Sequence, residues 1–531
     1  MTETALQPLP IGTSDFVALR QANQIYVDKT EIIHQLASLR QKFFLTRPRR
    51  FGKSLLVSTF ASLFRDGLKY FSGLAIEKLW KDTTYPVVEI DFSKVRGFES
   101  IEDFENKVRS VTVGSFARAG FVLDKCDESN WIGQISDWMQ ERPANSLVLL
   151  IDEYDAPHTA CLEDKELFTK IRKFLSTFYA IIKSNDACLR FVFMTGITKF
   201  NQTGIFSELN NFTDISLDPM FGSLVGYTDE DILHNFSGYL QRAADALDMS
   251  PDEVHQELRE HYDGYCFDDE VSQHVYAPWS VLNFFSRPSR GFLNYWVRSG
   301  GALTILQKYL HSHVLQAPSE YAKDQWVTYA DLNCSTDFDR INDLTLLTQA
   351  GYLTIKKRRM NSFWVGYPNK EVAVSLAELY CEQLLDNRDL AAVKADTIVP
   401  ALLEGDVKNL FESVNRAFAA LHYVKYPITE EKYVQSYLQV FLAGAGFTVR
   451  CETGGALGRS DLEVDAGKVH WVIELKFQRK RDSAVALLED AARQIRDRNY
   501  GATSSKPLIR AAAVFSEEKR AFVCWKNADT E

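Results

Sequence analysis

The sequence predicts an α/β protein in which two sheet-forming regions flank a mainly helical stretch. In the front region, apolar runs that suit buried strands alternate with helical patterns, which is typical of a parallel sheet covered by helices on both faces. These runs lie at residues 43–45, 87–92, 146–151 and 189–194. Near the C-terminus, an amphipathic helix at 430–443 precedes strand patterns at 447–452, 460–465 and 469–477. We therefore divide the chain into regions 1–215, 216–424 and 425–531.

Composition limits the class of protein. The 531 residues are 46% hydrophobic and 25% charged, as in globular proteins, and the net charge of −11 argues against an overall basic coat for nucleic acid. The eight cysteines include no C-x-x-C pair, which favours reduced thiols. No run of eighteen apolar residues occurs and no charged-then-apolar segment opens the chain, so we expect a cytoplasmic protein that does not span a membrane.

The segment Arg47–Ser54 lies between a short apolar strand and an amphipathic helix that ends at Gly67. It resembles the phosphate-binding pattern G-x-x-x-x-G-K-[ST], in which Gly52, Lys53 and Ser54 match and Arg47 replaces the first glycine. Glycine lets the backbone approach phosphates, the lysine supplies positive charge, and the serine hydroxyl can ligate Mg²⁺. Three arginines (Arg47, Arg49, Arg50) are expected to add positive charge. The alternative is a basic surface turn before an ordinary helix.

Two acids follow the strand at 146–151, at the strand end where parallel sheets bind ligands. Asp152 would hold Mg²⁺, and Glu153 would orient or deprotonate the attacking water. After the strand at 189–194, Thr195 or Thr198 could contact the terminal phosphate, and Lys199 could stabilise charge on it. An ordinary turn residue or surface charge is an equal alternative for each of these last three.

The strand at 469–477 places Glu474 and Lys476 on one face, because side chains alternate along a strand. Asp461 can lie on the adjacent strand of the hairpin, so Asp461 and Glu474 could share one Mg²⁺. Lys476 would then position or help deprotonate a water that attacks phosphorus. The alternative is an exposed hairpin with an ion pair.

The middle region is expected to form a helical lid and connector that includes a small winged-helix-like unit. Its Lys356–Arg359 segment is a basic cluster flanked by apolar, strand-like residues. The cluster could contact a nucleic-acid backbone, although a solvated turn is the default interpretation.

Four segments of the front region closely resemble the bacterial AAA-ATPase-like family. They are Arg47–Ser54, Leu149–Asp155, Thr195–Phe200 and Asn210–Asp218. In this family the loop usually lacks the first glycine, so its absence here is a family trait. The resemblance implies a P-loop NTPase sheet over roughly residues 7–215. The resemblance implies that ATP and Mg²⁺ bind at the loop and the two acids. We assign the loop residues Arg50, Phe51, Gly52, Lys53, Ser54 and Leu55, with Asp152 and Thr195, to nucleotide binding.

The back region resembles the PD-(D/E)xK nuclease superfamily, and specifically the nuclease domain often joined to that ATPase-like module. Asp461, Glu474 and Lys476 stand at the expected places, which implies a restriction-endonuclease-like α/β domain. The same resemblance implies that Glu431, on the preceding helix, adds a metal ligand and that Gln494, on a later helix, supports the core.

These resemblances favour an ATP-controlled, Mg²⁺-dependent endonuclease acting on nucleic acid, with DNA favoured over RNA. The company such domain pairs keep suggests a role in defence or mobile-element biology. One alternative is a nucleotide-dependent switch or scaffold that binds nucleic acid or a protein partner without cutting it. Another is a protein that binds nucleotide without hydrolysing it. The sequence leaves the trigger and the possibility of a homo-oligomer open.

Overall fold

The computed structural model describes residues 6–199, 211–298, 306, 308–309, 320–321, 323, 325–332, 341–386, 388–455, 458–501, 504 and 506–529. The chain forms two compact units. Unit 1 comprises Met1–Leu315 and Asp324–Asn369, and unit 2 comprises Gln316–Lys323 and Lys370–Glu531. The predicted middle region, 216–424, is therefore shared between the units, because the division falls between Asn369 and Lys370.

Unit 1 is built on a five-stranded parallel sheet with the order β2-β3-β4-β1-β5. The strands are β1 (Lys42–Thr46), β2 (Val87–Asp91), β3 (Leu147–Asp152), β4 (Leu189–Gly196) and β5 (Thr213–Asp214). Their nearly continuous apolar sequences suit a sheet that is buried on both faces. Because all five strands are parallel, the segments that follow β1, β2, β3 and β4 leave from one edge of the sheet.

The helices of the sheet region in unit 1 span Phe16–Gln21, Thr30–Ser38, Lys53–Asp66, Ile101–Arg118, Trp131–Gln140, Ala156–Ala160 and Lys165–Ser184. The helix Lys165–Ser184 begins at Asp164, whose carboxylate accepts hydrogen bonds from the first-turn N–H groups. It buries Ile171, Leu175 and Phe178 in a core shared with the sheet. These helices pack against the sheet whose strand ends carry the predicted nucleotide-binding residues.

The remainder of unit 1 is helical with a second, smaller sheet. The helices span Asp229–Asn235, Ser237–Leu247, Pro251–Tyr262, Pro278–Ser286, Tyr295–Arg298, Tyr329–Leu332 and Asp343–Ala350. The small sheet is antiparallel with the order β6-β8-β7, formed by β6 (Gln325–Thr328), β7 (Thr354–Arg359) and β8 (Ser362–Gly366). The helix Asp343–Ala350 directly precedes the β7–β8 hairpin.

Unit 2 contains a mixed five-stranded sheet with the order β13-β12-β11-β10-β9. The strands are β9 (Thr448–Gly455), β10 (Gly458–Ala466), β11 (Val469–Gln478), β12 (Leu508–Ser516) and β13 (Ala521–Asn527). The helices span Lys370–Leu384, Ile398–Glu404, Val407–Ala419, Glu431–Gly444 and Ala484–Asp497. Strands β11 and β12 are parallel, so the helix Ala484–Asp497 forms their crossover and packs Leu488, Ala491 and Ile495 onto the sheet.

Among the helices in the described parts of the chain, none is long and apolar enough to span a membrane.

Candidate functional site

The loop after β1 turns through two left-handed residues before the helix Lys53–Asp66 begins. Arg50 has φ +69° and Gly52 has φ +93°. Gly52 occupies the cap position and carries no side chain, so the first N–H groups of the helix are accessible from the loop side. Helix N-termini attract anions through these N–H groups and the helix dipole. The local backbone therefore has the form that phosphate binding requires.

A cavity of about 630 Å³ opens beside this loop. Its polar lining residues are Arg49, Arg50, Gly52, Lys53, Ser54, Arg96 and Glu153. Its apolar and aromatic lining residues include Ile25, Tyr26, Val27, Leu224, Val225, Tyr227, Trp279 and Leu282. The guanidinium of Arg50 lies 4.2 Å above the ring of Trp279. A cavity of this size, lined by both charged and apolar side chains, can accommodate the phosphates and base of a nucleotide.

Lys53 and Arg47 differ in their positions, although both are buried cations of the loop. The Lys53 ammonium donates to the carbonyl oxygens of Arg47 and Pro48 at 2.9 Å each, and burial lowers its pKa. Arg47 donates to the carbonyl oxygens of Ser216 and Phe221. Arg47 is not one of the described residues that line the cavity. The expectation that Arg47 adds charge to the phosphate site is therefore wrong, because its guanidinium binds the segment that follows β5.

The acids after β3 lie next to the loop. Asp152 is buried and accepts hydrogen bonds from the Thr195 hydroxyl and from the N–H of Glu153. Glu153 lines the cavity and has φ +51°, a conformation that is strained for a residue with a side chain. Its Oε2 accepts a hydrogen bond of 2.7 Å from Arg96. Arg96 was missed by the sequence reasoning, although its place shortly after β2 could have indicated it.

The described part of the segment after β4 contacts two acids and does not line the cavity. The Thr198 hydroxyl and N–H donate to Asp155, and the Lys199 ammonium forms an ion pair of 2.6 Å with Asp214. The described cavity wall includes neither Thr195 nor Thr198 nor Lys199. In this conformation Thr195 contacts the acid Asp152 rather than the space for a terminal phosphate, and Lys199 is directed toward β5.

In unit 2, the predicted residues converge on the neighbouring strands β10 and β11. The N–H of Leu475 donates to Asp461 Oδ2 at 2.7 Å, which fixes the Asp461 carboxylate beside β11. The Lys476 ammonium lies 3.4 Å from Glu474 Oε1 and donates to Gln494 Oε1 at 3.1 Å. The structure therefore brings Asp461, Glu474, Lys476 and Gln494 together.

Glu474 has an unusual electrostatic environment. Its side chain is 1% exposed, and burial, followed by the charge of Asp461, raises its pKa to about 7. The Lys476 ammonium partly opposes this shift. Among the described residues, Glu474 Oε2 has no hydrogen-bond partner. A buried carboxylate oxygen beside a second carboxylate is costly unless a cation or a proton neutralises the pair.

The preceding helix contributes to the site differently from the expectation. Glu431 Oε2 accepts from the N–H of Phe477 at 3.0 Å, and Gln435 donates to the carbonyl oxygen of Asp461 at 2.7 Å. In the described residues, no group of three or more His, Cys, Asp or Glu side chains is arranged to hold a metal ion. Asp461 and Glu474 thus form a pair, and Glu431 positions the end of β11. No pattern in the sequence predicted that Gln435 belongs to the site.

Unit 1 has the architecture of a P-loop nucleotide-binding protein, and unit 2 has that of a restriction-endonuclease-like α/β domain. The sequence matches the family described as "Predicted AAA-ATPase" over residues 10–206 and the "PD-(D/E)XK nuclease superfamily" over residues 429–525. It is also 30% identical over 528 residues to a protein of Azotobacter chroococcum mcd 1 described as "Uncharacterized protein in vnfD 5'region". That similarity covers 97% of this chain and 98% of the relative.

The chain therefore belongs to the family of predicted AAA-ATPases that carry a C-terminal PD-(D/E)XK nuclease-superfamily domain. The two family resemblances predicted from the sequence motifs are confirmed, as is the α/β fold class.

Proposed function

We propose that this protein is a nucleotide-controlled endonuclease. Unit 1 binds and hydrolyses ATP, and unit 2 cuts nucleic acid, preferentially DNA, with the help of Mg²⁺. ATP binding or hydrolysis licenses the cutting reaction.

One observation supports the nuclease assignment most directly: Asp461 and Glu474 lie close together, and the buried Oε2 of Glu474 has no hydrogen-bond partner in the described part of the chain. Carboxylate oxygens are the ligands that Mg²⁺ prefers, so the residues present fit this metal. Asp461 and Glu474 would hold it. A divalent ion bound there neutralises the two acids and supplies Lewis-acid stabilisation for charge on a phosphate.

The remaining residues of the site have roles that follow from their contacts. Lys476 is anchored by Gln494 and Glu474, so its ammonium can orient a water and stabilise negative charge at the scissile phosphate. Gln494 and Gln435 are positioning residues, because they contact Lys476 and the backbone of Asp461. Glu431 holds the backbone at the end of β11 in the same way.

The nucleotide assignment is supported by the cavity beside the loop, whose charged and apolar lining residues suit a triphosphate and a base. Ser54 is exposed and lines the cavity, and Asp152 is buried, so these two residues are suited to hold the Mg²⁺ that accompanies ATP. Glu153 reaches the same cavity and is the candidate to activate water.

Cleavage of supercoiled, linear and single-stranded DNA and of RNA, with Mg²⁺ and ATP, tests the nuclease half. Asp461→Asn keeps the shape of the side chain but removes a charge, and Lys476→Ala removes the ammonium. Each should lower cleavage about a hundredfold or more, because metal binding or charge stabilisation is lost. The matched control is Asp497→Asn, an exposed residue of the same unit, which should cleave like the parent protein.

Equal cleavage by the parent protein and both site variants would overturn the nuclease assignment. Binding of nucleic acid by a folded parent protein that never cuts any substrate would favour the switch or scaffold alternative. Phosphate release by the parent protein and by Glu153→Gln separates hydrolysis from mere nucleotide binding. Equal, near-zero rates would overturn the ATPase half.

A further inference from the structure

The small antiparallel sheet of unit 1 has two chemically different faces. On one face, Val327, Phe363 and Val365 are buried in unit 1. On the other face, Trp326 lies opposite Trp364, and Trp364 lies opposite Lys357, so the three form a row across the strands. Residues directly opposite each other on neighbouring strands share a face. We call this second surface the tryptophan face.

On the tryptophan face, Trp326 is exposed and Trp364 is half-buried. The side chain of Trp326 is 63% exposed, although tryptophan is among the side chains most stabilised by burial. At the tip of the β7–β8 hairpin, Met360 is 85% exposed and has φ +56°. Tight hairpin turns favour Asn or Gly at such positions, so Met360 is strained there while its side chain projects into solvent.

The four cations of Lys356–Arg359 are divided between the two faces. Arg358 donates to the carbonyl oxygen of Asp269, and Lys356 contacts the carbonyl oxygen of Pro368, so both are held by the body of unit 1. Lys357 and Arg359 are exposed and alternate along β7, which places both on the tryptophan face. The Lys357 ammonium lies 5.9 Å from the Trp364 ring. A local positive surface with aromatic rings thus forms on a chain of net charge −11.

We propose that the tryptophan face binds single-stranded nucleic acid, with bases stacked on Trp326 and Trp364 and phosphates paired with Lys357 and Arg359. Stacking platforms beside cations are how proteins hold single strands without reading their sequence. A duplex would offer its phosphates, but its base faces are already stacked and would leave the tryptophans without partners. The inference rests on the proposed function, since it names the form of the nucleic acid that the full-length protein engages.

Fluorescence anisotropy with a fluorescein-labelled oligothymidine and the full chain tests this proposal. EDTA is present, so no strand is cut. The double variant Lys357→Gln with Arg359→Gln should bind at least about tenfold more weakly. Its plot of log affinity against log salt concentration should be flatter by about 1.4, because each phosphate contact to a single strand contributes about 0.7 to the slope. Trp326→Ala should bind at least about fivefold more weakly through lost stacking.

The charge-matched control is Lys173→Gln with Lys183→Gln, two exposed lysines on the helix Lys165–Ser184 of unit 1, and it should bind like the parent protein. Thermal unfolding confirms that each variant is folded. An oligouridine probe shows whether the face distinguishes RNA from DNA; equal binding of both strands supports stacking and phosphate contacts as the basis of recognition.

Three outcomes would overturn the proposal. One is parent-like oligothymidine binding by both the cation and the tryptophan variants. The second is that the protein binds a duplex more tightly than the single strand and that Trp326→Ala does not change the affinity for the duplex. The third is concentration-dependent self-association of the parent protein that Trp326→Ala abolishes, which would assign the face to a second copy of the chain. Loss of cutting in Asp461→Asn with strand binding intact, or a parent protein that binds but never cuts, bears on the proposed nuclease alone.

Discussion

The buried carboxylate Glu474 makes the stability of the metal-free protein depend on pH. Its pKa is raised from 4.5 to about 7, first by burial and then by Asp461. An acid with a higher pKa in the folded state binds protons more tightly when folded, so stability falls as the pH rises from about 4.5 to about 7. The full cost, reached above about pH 7, is about 3 kcal/mol for this shift.

The substitution Glu474→Gln removes the ionisable group and keeps its size. In EDTA, the unfolding temperature of the variant relative to the parent protein should be higher at about pH 8 than at about pH 5. The difference corresponds to up to about 3 kcal/mol, or roughly 6–12 °C for a unit of this size. Comparing the two pH values cancels any effect of the substitution that does not depend on pH.

The matched control is Glu518→Gln, an exposed acid of the same unit, for which the two pH values should give equal differences. A Glu474→Gln variant whose relative stability is the same at both pH values would refute the reasoning that burial sets this pKa. The pKa of Glu474 also predicts how the Mg²⁺ affinity depends on pH. The parent protein should bind Mg²⁺ about tenfold more weakly at about pH 6 than at about pH 8, because a proton competes with the metal for the carboxylate. Isothermal titration calorimetry measures this ratio.

Three further predictions concern the nucleotide cavity. Lys53→Ala should abolish binding of a fluorescent ATP analogue, since it removes the buried ammonium of the loop; parent-like affinity would contradict this. Arg96→Ala should raise basal phosphate release several-fold, because Arg96 occupies Glu153 Oε2 in an ion pair and its removal frees that oxygen to contact water; an unchanged or lower rate would show another role for the pair. Gly351→Ala should weaken nucleotide binding, since its added Cβ would lie 2.6 Å from a loop proline. Gly73→Ala, with the same sign of φ but open space around it, should bind normally.

The relations between site residues that the sequence predicted are local ones. Gly52 and Lys53 follow a strand and open a helix, so their relation to each other depends only on nearby residues. The pair Glu474 and Lys476 is fixed by strand alternation, and Asp461 lies one hairpin away. Each of these relations can be read from spacing, because the geometry of a single element or turn determines it.

Relations across long stretches of chain were not accessible in the same way. Arg96 meets Glu153 only because β2 and β3 are neighbours in the sheet. Lys199, which follows β4, pairs with Asp214 on β5, although β1 lies between these two strands in the sheet. The buried Lys199 ammonium needs a partner for its charge, and Asp214 provides it, so Lys199 does not face the cavity. No spacing rule in the sequence expresses that requirement.

The arginine that replaces the first loop glycine explains how an open loop can keep its shape. Arg47 binds the carbonyl oxygens of Ser216 and Phe221, and its guanidinium lies 4.5 Å above the ring of Phe267. The indole N–H of Trp296 donates to the carbonyl oxygen of Arg49. The turn freedom that a glycine would provide is thus replaced by side-chain and backbone contacts from later parts of unit 1. A loop held in this way is coupled to those segments, so a change in the loop on nucleotide binding must alter their packing as well.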